Sequence, residues 1–347
     1  MRMTFFIILF IIFNINFIYS KKKIRKKKHI KVDKCGRIDY IKDVCITGMK
    51  IKKPKRNYNF YKNLPSELYE KELKIWYKRI NKKVLDLESP KTLNEKIQWL
   101  KLYDSTPIKT LLTDKYLVKN YIKETIGEQY VIPTLQVWNS SNQISFNLLP
   151  KTFVLKANHG SGMNIIVYNK RKYNIKKIRR IAKKWMNTNF AYRSLELHYM
   201  NIKPRIIAEK YFENKNGDLY DYKVYCFDGR VESIAFLSGI KKKRRIAFYD
   251  TEWNRLNYTD TYPAFSYEIP KPKKLKEMVE ISQKLSKGFA FVRVDLYVLN
   301  NGDIKFGEMT FTPSSGTLVF SPLNQNRIFG DMIKLPPKSS PPKKIIR

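Results

Sequence analysis

The chain has 347 residues, 43% of them hydrophobic and 14% aromatic, enough to bury a sizeable core in two or three packed lobes. Its 69 Lys and Arg against 30 Asp and Glu leave a formal charge of +39, which suits polyanionic partners: nucleic acid, anionic lipid or acidic glycans. Three cysteines exclude a disulfide framework and a zinc module, and three histidines exclude a histidine-rich metal centre.

In chain order, residues 1–20, MRMTFFIILFIIFNINFIYS, are about as long as a minimal membrane span. The next eleven, KKKIRKKKHIK at 21–31, carry eight Lys or Arg, against the single Arg2 before the span. That bias predicts a signal-anchor with the body in the cytoplasm, and the basic run suits an anionic membrane surface. Bulky Ile18 and Tyr19 before Ser20 argue against cleavage; a cleaved leader with a secreted or lumenal body is the alternative. Residues 21–56 read as a basic juxtamembrane linker.

A helical segment is predicted over 57–127. Ser66 can cap a helix in which Tyr69, Leu73, Trp76, Ile80 and Val84 recur at three- and four-residue spacing. Thr92 with Glu95 forms a capping box, Pro107 suits a first helical position, and a further helix is expected from about Thr113 to Gly127. These stripes read as core packing, with no function attached.

From Val131 the pattern turns to strands. Thr152–Tyr168 reads as two strands joined by Gly160-Ser161-Gly162, and Lys203–Phe212 as another. Asp228-Gly229 marks a hairpin turn. Lys271–Ser286 reads as a helix whose apolar side is Leu275, Met278, Val279 and Leu285. The Pro/Lys/Ser-rich end, 336–347, is expected to be a disordered tail.

The chemistry concentrates in FVRVDLYVLNNGDIKFGEMTF, residues 291–311. Asn301-Gly302 predicts a two-residue hairpin turn. Pairing Asn300 with Asp303 then sets Asp295 opposite Glu308 and Arg293 opposite Thr310, all on one face. The other face holds Val292, Val294 and Leu296 against Phe311, Met309 and Gly307. Two carboxylates abreast on a ladder repel. A divalent cation between them would offset that repulsion, and Mg²⁺ is commonly held by one or two carboxylates together with phosphates. The alternative is a solvated face on which Arg293 pairs with one acid. Lys156, on a strand entering the Gly160-Ser161-Gly162 loop, adds a point charge beside backbone that an anion can approach. No Walker A, dinucleotide, zinc-finger or RNA-recognition motif is present, and no specific nucleic-acid partner is expected.

The order of these parts resembles the TupA-like branch of the ATP-grasp proteins, from about Leu87 to Leu335. The segments that carry the resemblance are SPKTLNEKIQWLKLYD, LTDKY, LPKTFVLKANHGSGMNIIV, IKPRIIAEKYF, DYKVYCFDG, FVRVDLY and FGEMTFTPSSG. The resemblance implies an α+β ATP-grasp fold, two α+β lobes clasping ATP: a small lobe over 128–210 and a C-terminal lobe with the metal site over 211–335. It implies ATP and Mg²⁺ as cofactors and an ATP-dependent carboxylate-amine ligase of surface-polymer biosynthesis. Lys156 resembles the phosphate-contacting lysine, and His159, Gly160, Ser161 and Gly162 belong to the loop closing over the phosphates. Glu209, Lys210, Tyr211 and Phe212 resemble the segment cradling adenine and ribose. Asp295 and Glu308 resemble the Mg²⁺ ligands, Thr310 stands where many relatives carry Asn and is expected at the metal as a weak ligand or a hydroxyl orienting a water, and Arg293 resembles the residue facing the transferred phosphoryl group. Asp221 and Lys223 match a further motif and are expected at phosphate or substrate. Where relatives carry an Asp-Arg pair, this chain has a basic run from which Arg244 or Arg245 can supply the charge. The implied acceptor is an acidic glycan or lipid-linked polymer. Glycosyl transfer and a non-catalytic, membrane-tethered basic binding protein are the rival readings.

Overall fold

A computed structural model describes residues 57–212, 219–238 and 244–342. The expected membrane span and the basic linker lie outside these residues. Among the described residues no helix is long and apolar enough to cross a membrane.

Nine helices are named here: α1 (Tyr58–Lys62), α2 (Tyr69–Asn81), α3 (Leu93–Tyr103), α4 (Pro107–Thr113), α5 (Val118–Thr125), α6 (Ile175–Met186), α7 (Ala191–Ser194), α8 (Leu275–Ser286) and α9 (Gln325–Asp331). The capping box forms as expected, Thr92 accepting from the Glu95 amide while Glu95 accepts from the Thr92 amide. Pro107 opens α4. Two expectations need correction. Ser66 starts a 3₁₀ turn, Ser66–Leu68, and α2 follows only at Tyr69. That helix stops when Lys82 turns left-handed, which leaves Ile80 and Val84 45% and 74% exposed instead of in the core. At the other end, residues 336–342 have neither helix nor strand. Within this stretch the Ser339 amide donates to the Tyr103 carbonyl at 3.0 Å.

Four strands make a small antiparallel sheet in the order β1-β4-β2-β3: β1 (Thr134–Trp138), β2 (Phe153–Ala157), β3 (Asn164–Val167) and β4 (Ile206–Lys210). Six make a second sheet in the order β10-β9-β5-β6-β7-β8: β5 (Tyr220–Phe227), β6 (Arg230–Ser238), β7 (Arg245–Tyr249), β8 (Arg255–Leu256), β9 (Val292–Val298) and β10 (Ile304–Thr310). Asp228 and Gly229 both take positive φ, as a two-residue hairpin turn requires.

Strand alternation splits this second sheet into two apolar faces. Val224, Cys226, Val292 and Val294 pack with Met278, Ile281 and Leu285 of α8. Tyr225, Phe227 and Phe291 point the other way and are covered by Leu73 and Trp76 of α2 and Ile97 and Leu100 of α3. Helices α2, α3 and α9 therefore roof part of that sheet face, the Phe329 ring of α9 stacking on Tyr225. Further along that same face the side chains become Asp221, Lys223, Arg293 and Asp295, and the roof gives way to a cleft.

Candidate active site

The hairpin that carries the acids has the expected pairing at its business end: Glu308 faces Asp295 and Thr310 faces Arg293. Nearer the turn the register differs by one, with Phe306 opposite Leu296 and Ile304 opposite Val298. The loop is three residues, Asn300-Asn301-Gly302, closed by the Leu299 amide on the Asp303 carbonyl at 2.9 Å. A bulge at Gly307 absorbs the difference. It places Phe306 in the apolar cluster and Glu308 on the polar face, although both numbers are even. A Cβ on Gly307 would lie 2.9 Å from the Asp295 carbonyl oxygen and 3.1 Å from the Tyr297 ring. The Gly307→Ala protein is therefore expected to lose about 1–3 kcal/mol of stability from overpacking. Displacement of Glu308 should also weaken Mg²⁺-ATP binding about tenfold, about 1.4 kcal/mol; melting and calorimetry on the same sample read both.

The cleft holds about 260 Å³. Five cationic side chains line it (Lys115, Lys119, Lys156, Lys223, Arg244), with four carboxylates (Glu209, Asp221, Asp295, Glu308). Opposite charges are already matched. Lys223 Nζ sits 2.7 Å from Asp221 and 3.0 Å from Asp295. Arg293 donates twice to Asp295, Nε to Oδ1 at 2.6 Å and Nη2 to Oδ2 at 2.7 Å. Lys115 bonds Glu308. Glu209, 4% exposed, lies between Lys119 at 2.6 Å and Lys156 at 2.7 Å. The repulsion expected between the two hairpin acids is thus offset here by lysine and arginine.

Those charges set the protonation states. Burial alone would raise the Glu308 carboxyl, but Lys115, with Arg293 and Lys223, holds it down to about 2. Burial opposes the Lys223 charge, yet Asp221 and Asp295 push its pKa up. Asp221 goes the other way: burial, with Asp295 adding to it, raises its carboxyl despite Lys223. Among the described residues its buried Oδ1 has no hydrogen-bond partner.

The residues expected at the site divide into two groups. Lys156, Gly160, Ser161, Gly162, Glu209, Asp221, Lys223, Asp295 and Glu308 all line the cleft. Of the two candidate arginines, Arg244 lines it, while Arg245 donates to the Ala264 carbonyl at 2.8 Å. His159 does not face the cleft. Its ring is buried, with Nδ1 2.9 Å from Asn158 Oδ1 and Nε2 2.9 Å from the Trp185 carbonyl, and burial lowers its pKa. Arg293 and Thr310 lie behind the acids rather than on the cleft wall. Arg293 Nη2 reaches Thr310 Oγ1 at 3.3 Å, and that hydroxyl donates to Glu308 Oε1 at 3.2 Å. Lys210, Tyr211 and Phe212 leave β4 outside the lining residues, Lys210 over the Phe212 ring and Tyr211 edge-on to Tyr168.

Sequence reasoning missed Lys115 and Lys119. The turn that aims Lys115 is built by Asp114, whose Oδ1 accepts from the Tyr116 and Leu117 amides at 2.8 and 3.2 Å. Asn158 ties this turn to the small sheet, Nδ2 donating to Asp114 Oδ2 at 2.9 Å and its carbonyl accepting from the Lys115 amide at 3.1 Å. The LTDKY motif was the available signal, but nothing local says which way Lys115 points. Glycine is needed twice in the loop beside Lys156. A Cβ on Gly160 would press the Phe190 ring at 3.0 Å, and Gly162 has a φ of +71°.

Asp295 and Glu308 offer hard oxygens from one face, which fits Mg²⁺ better than a softer ion. Among the described residues no group of three or more His, Cys, Asp or Glu could hold a metal by itself. A two-carboxylate set of this kind leaves most positions to water and to nucleotide phosphates.

A family model described as TupA-like ATPgrasp matches residues 95–334. No curated protein matches the chain. Among solved structures, the chain is similar to D-alanine–D-alanine ligase from Bacillus anthracis complexed with ATP. The identity there is 17%, with 64% of this chain and 65% of that one covered and a TM-score of 0.40. It is also similar to the ATP-grasp ligase PsnB complexed with minimal precursor (10% identity, 62% and 59% covered, TM-score 0.36). Biotin carboxylase from Campylobacter jejuni, in a β-γ-ATP complex, is another (15%, 65% and 47%, 0.38). The chain spans about half to two thirds of the length of these structures, and at such scores no activity carries over from them.

Proposed function

The chain belongs to the TupA-like ATP-grasp family, and from that premise we propose that it is an ATP- and Mg²⁺-dependent ligase that joins a carboxylate to an amine through an acyl phosphate. The polymer it serves is a surface glycopolymer, with an acidic or lipid-linked acceptor; an N-terminal anchor would keep the enzyme beside such intermediates. The observation that carries the reading is one cleft holding two carboxylates abreast, a glycine loop and a fan of lysines.

In the first step a substrate carboxylate oxygen attacks the γ-phosphorus of ATP and ADP leaves. In the second an amine attacks the acyl carbon, phosphate leaves, and the amine gives up a proton. Lys115, Lys156 and Arg244 would meet the phosphate oxygens. Lys115 and Lys156 are at present held by Glu308 and Glu209, which supports a cleft suited to anions. Lys119 would keep Glu209 charged and still when Lys156 turns to phosphate. Bound at Asp295 and Glu308, Mg²⁺ would supply charge neutralisation for the phosphoryl oxygens. Arg293 holds Asp295 in the plane of its own guanidinium and so fixes the acid's orientation. Adenine and ribose would lie toward the β4 exit at Lys210–Phe212, and residues 160–163 would close over the phosphates and keep water out.

The test supplies ATP, Mg²⁺ and a panel of amines with uronate or polyglutamate acceptors, and follows ADP, phosphate and new amide bonds by mass spectrometry. The expected result is ADP and amide in equal amounts, dependent on both substrates. Consumption of a nucleotide sugar with ATP untouched would replace this reading with glycosyl transfer.

A further inference from the structure

Between Glu128 and Glu196 lie 67 residues without a single Asp or Glu, and they carry twelve Lys or Arg. This stretch builds most of the small lobe. Its cations are not all alike. Lys170 donates to the carbonyls of Phe146, Asn147 and Leu149, and Arg179 donates twice to the Ile144 carbonyl at 3.0 and 2.8 Å. These two fasten the 144–149 loop against α6 and are spent there. Lys176, Lys177, Arg180, Lys183 and Lys184 occupy the outward side of α6, all exposed, with Arg171 and Lys172 just before it. No carboxylate pairs with any of these seven among the described residues.

The inward side of α6, Ile178 and Ala182, is buried on the small sheet. Its outward charge is therefore fixed in place and not free to fold away. The fastened loop carries Leu148, 85% exposed. The loop is held to the stretch before α6 by Lys170 and to α6 itself by Arg179, so Leu148 sits beside the helix on the side the small sheet does not cover. A leucine held out on a rigid loop fastened to α6 and seven unmatched cations make one surface.

We infer that this face of the small lobe docks on an anionic lipid bilayer, with α6 against the headgroups and Leu148 inserted at the acyl boundary. Charge draws the partner: each lysine or arginine held near an anionic leaflet adds to binding, and the effect fades beyond a Debye length. Leu148 distinguishes a bilayer from a soluble polyanion, since an exposed apolar tip gains nothing from a polymer in water. The inference stands apart from the ligase reading, because none of these side chains lines the cleft.

Hydrogen exchange on the full chain tests it, with phosphatidylcholine vesicles either plain or containing phosphatidylserine. Protection of 144–149 and 171–186 is expected with the anionic vesicles alone, and it should disappear in high salt. Reversing the five α6 cations to Glu should cut that protection at least about tenfold. Leu148→Ser should remove it from the loop, with melting and ATP turnover without lipid unchanged in both proteins. Binding through residues 21–31 alone would bring the chain to the vesicle and leave both segments unprotected, which would overturn the inference. So would equal protection by plain vesicles, or by polyglutamate without lipid.

Discussion

Asp295→Asn is expected to cost about 3–5 kcal/mol of stability and to reduce Mg²⁺-ATP binding at least tenfold, about 1.4 kcal/mol. Asp295 is 3% exposed and answers two cations at once, Arg293 through two bonds and Lys223 at 3.0 Å. An amide in its place leaves Arg293 buried and poorly matched, with Lys223 keeping only Asp221 at 2.7 Å, and that loss is larger than the net worth of an intact pair. Glu308→Gln provides the contrast. The Glu308 side chain is 34% exposed and bonds one lysine, Lys115, so the protein should lose less stability than Asp295→Asn while losing nucleotide affinity to a similar degree. Calorimetry with Mg²⁺-ATP and thermal melting on all three proteins separate the two effects. Equal nucleotide affinity in the three would remove the metal site from the mechanism; equal melting would show that Arg293 is better solvated than the structure has it.

Glu209→Gln should be the second large loss, about 3 kcal/mol, with a pH signature. Burial would raise the Glu209 carboxyl, but Lys156 and Lys119 more than offset this and its pKa is lowered. The folded protein therefore binds fewer protons at this site than the unfolded chain does. The stability it contributes is present above the unfolded carboxyl value of about 4.3 and is lost as the pH falls through the lower folded value. Melting followed from neutral pH into acid should show a steeper decline in the wild type than in Glu209→Gln. Parallel curves would mean that the two lysines find other partners. ATP should rescue part of the loss, since its phosphates return an anion to Lys156.

Much of the fold was legible because it depends on local chemistry. The Asp228-Gly229 turn, the Thr92/Glu95 capping box and the Pro107 helix start are each specified by a few adjacent residues, and each formed as read. Pattern alone does not say where a helix stops: Ile80 and Val84 continue the stripe, and only the left-handed Lys82 ends it. The hairpin shows both sides of this. Alternation placed the two acids together, yet the loop held three residues rather than two, and the pairing survived because Gly307 could bulge.

What the sequence by itself determined is the set of chemical parts and the strands that carry them: lysine and glycine loop, paired acids, apolar faces of period two. The tertiary structure decided which charges meet. Lys115 comes from a helical segment that read as packing, and it reaches Glu308 across 193 positions of chain. Arg293 is turned into Asp295, and His159 is turned out of the cleft by the Trp185 carbonyl. Such outcomes depend on long-range placement in three dimensions, because a charged side chain goes wherever burial leaves it an opposite charge or a hydrogen-bond partner, and sequence spacing does not encode that distance.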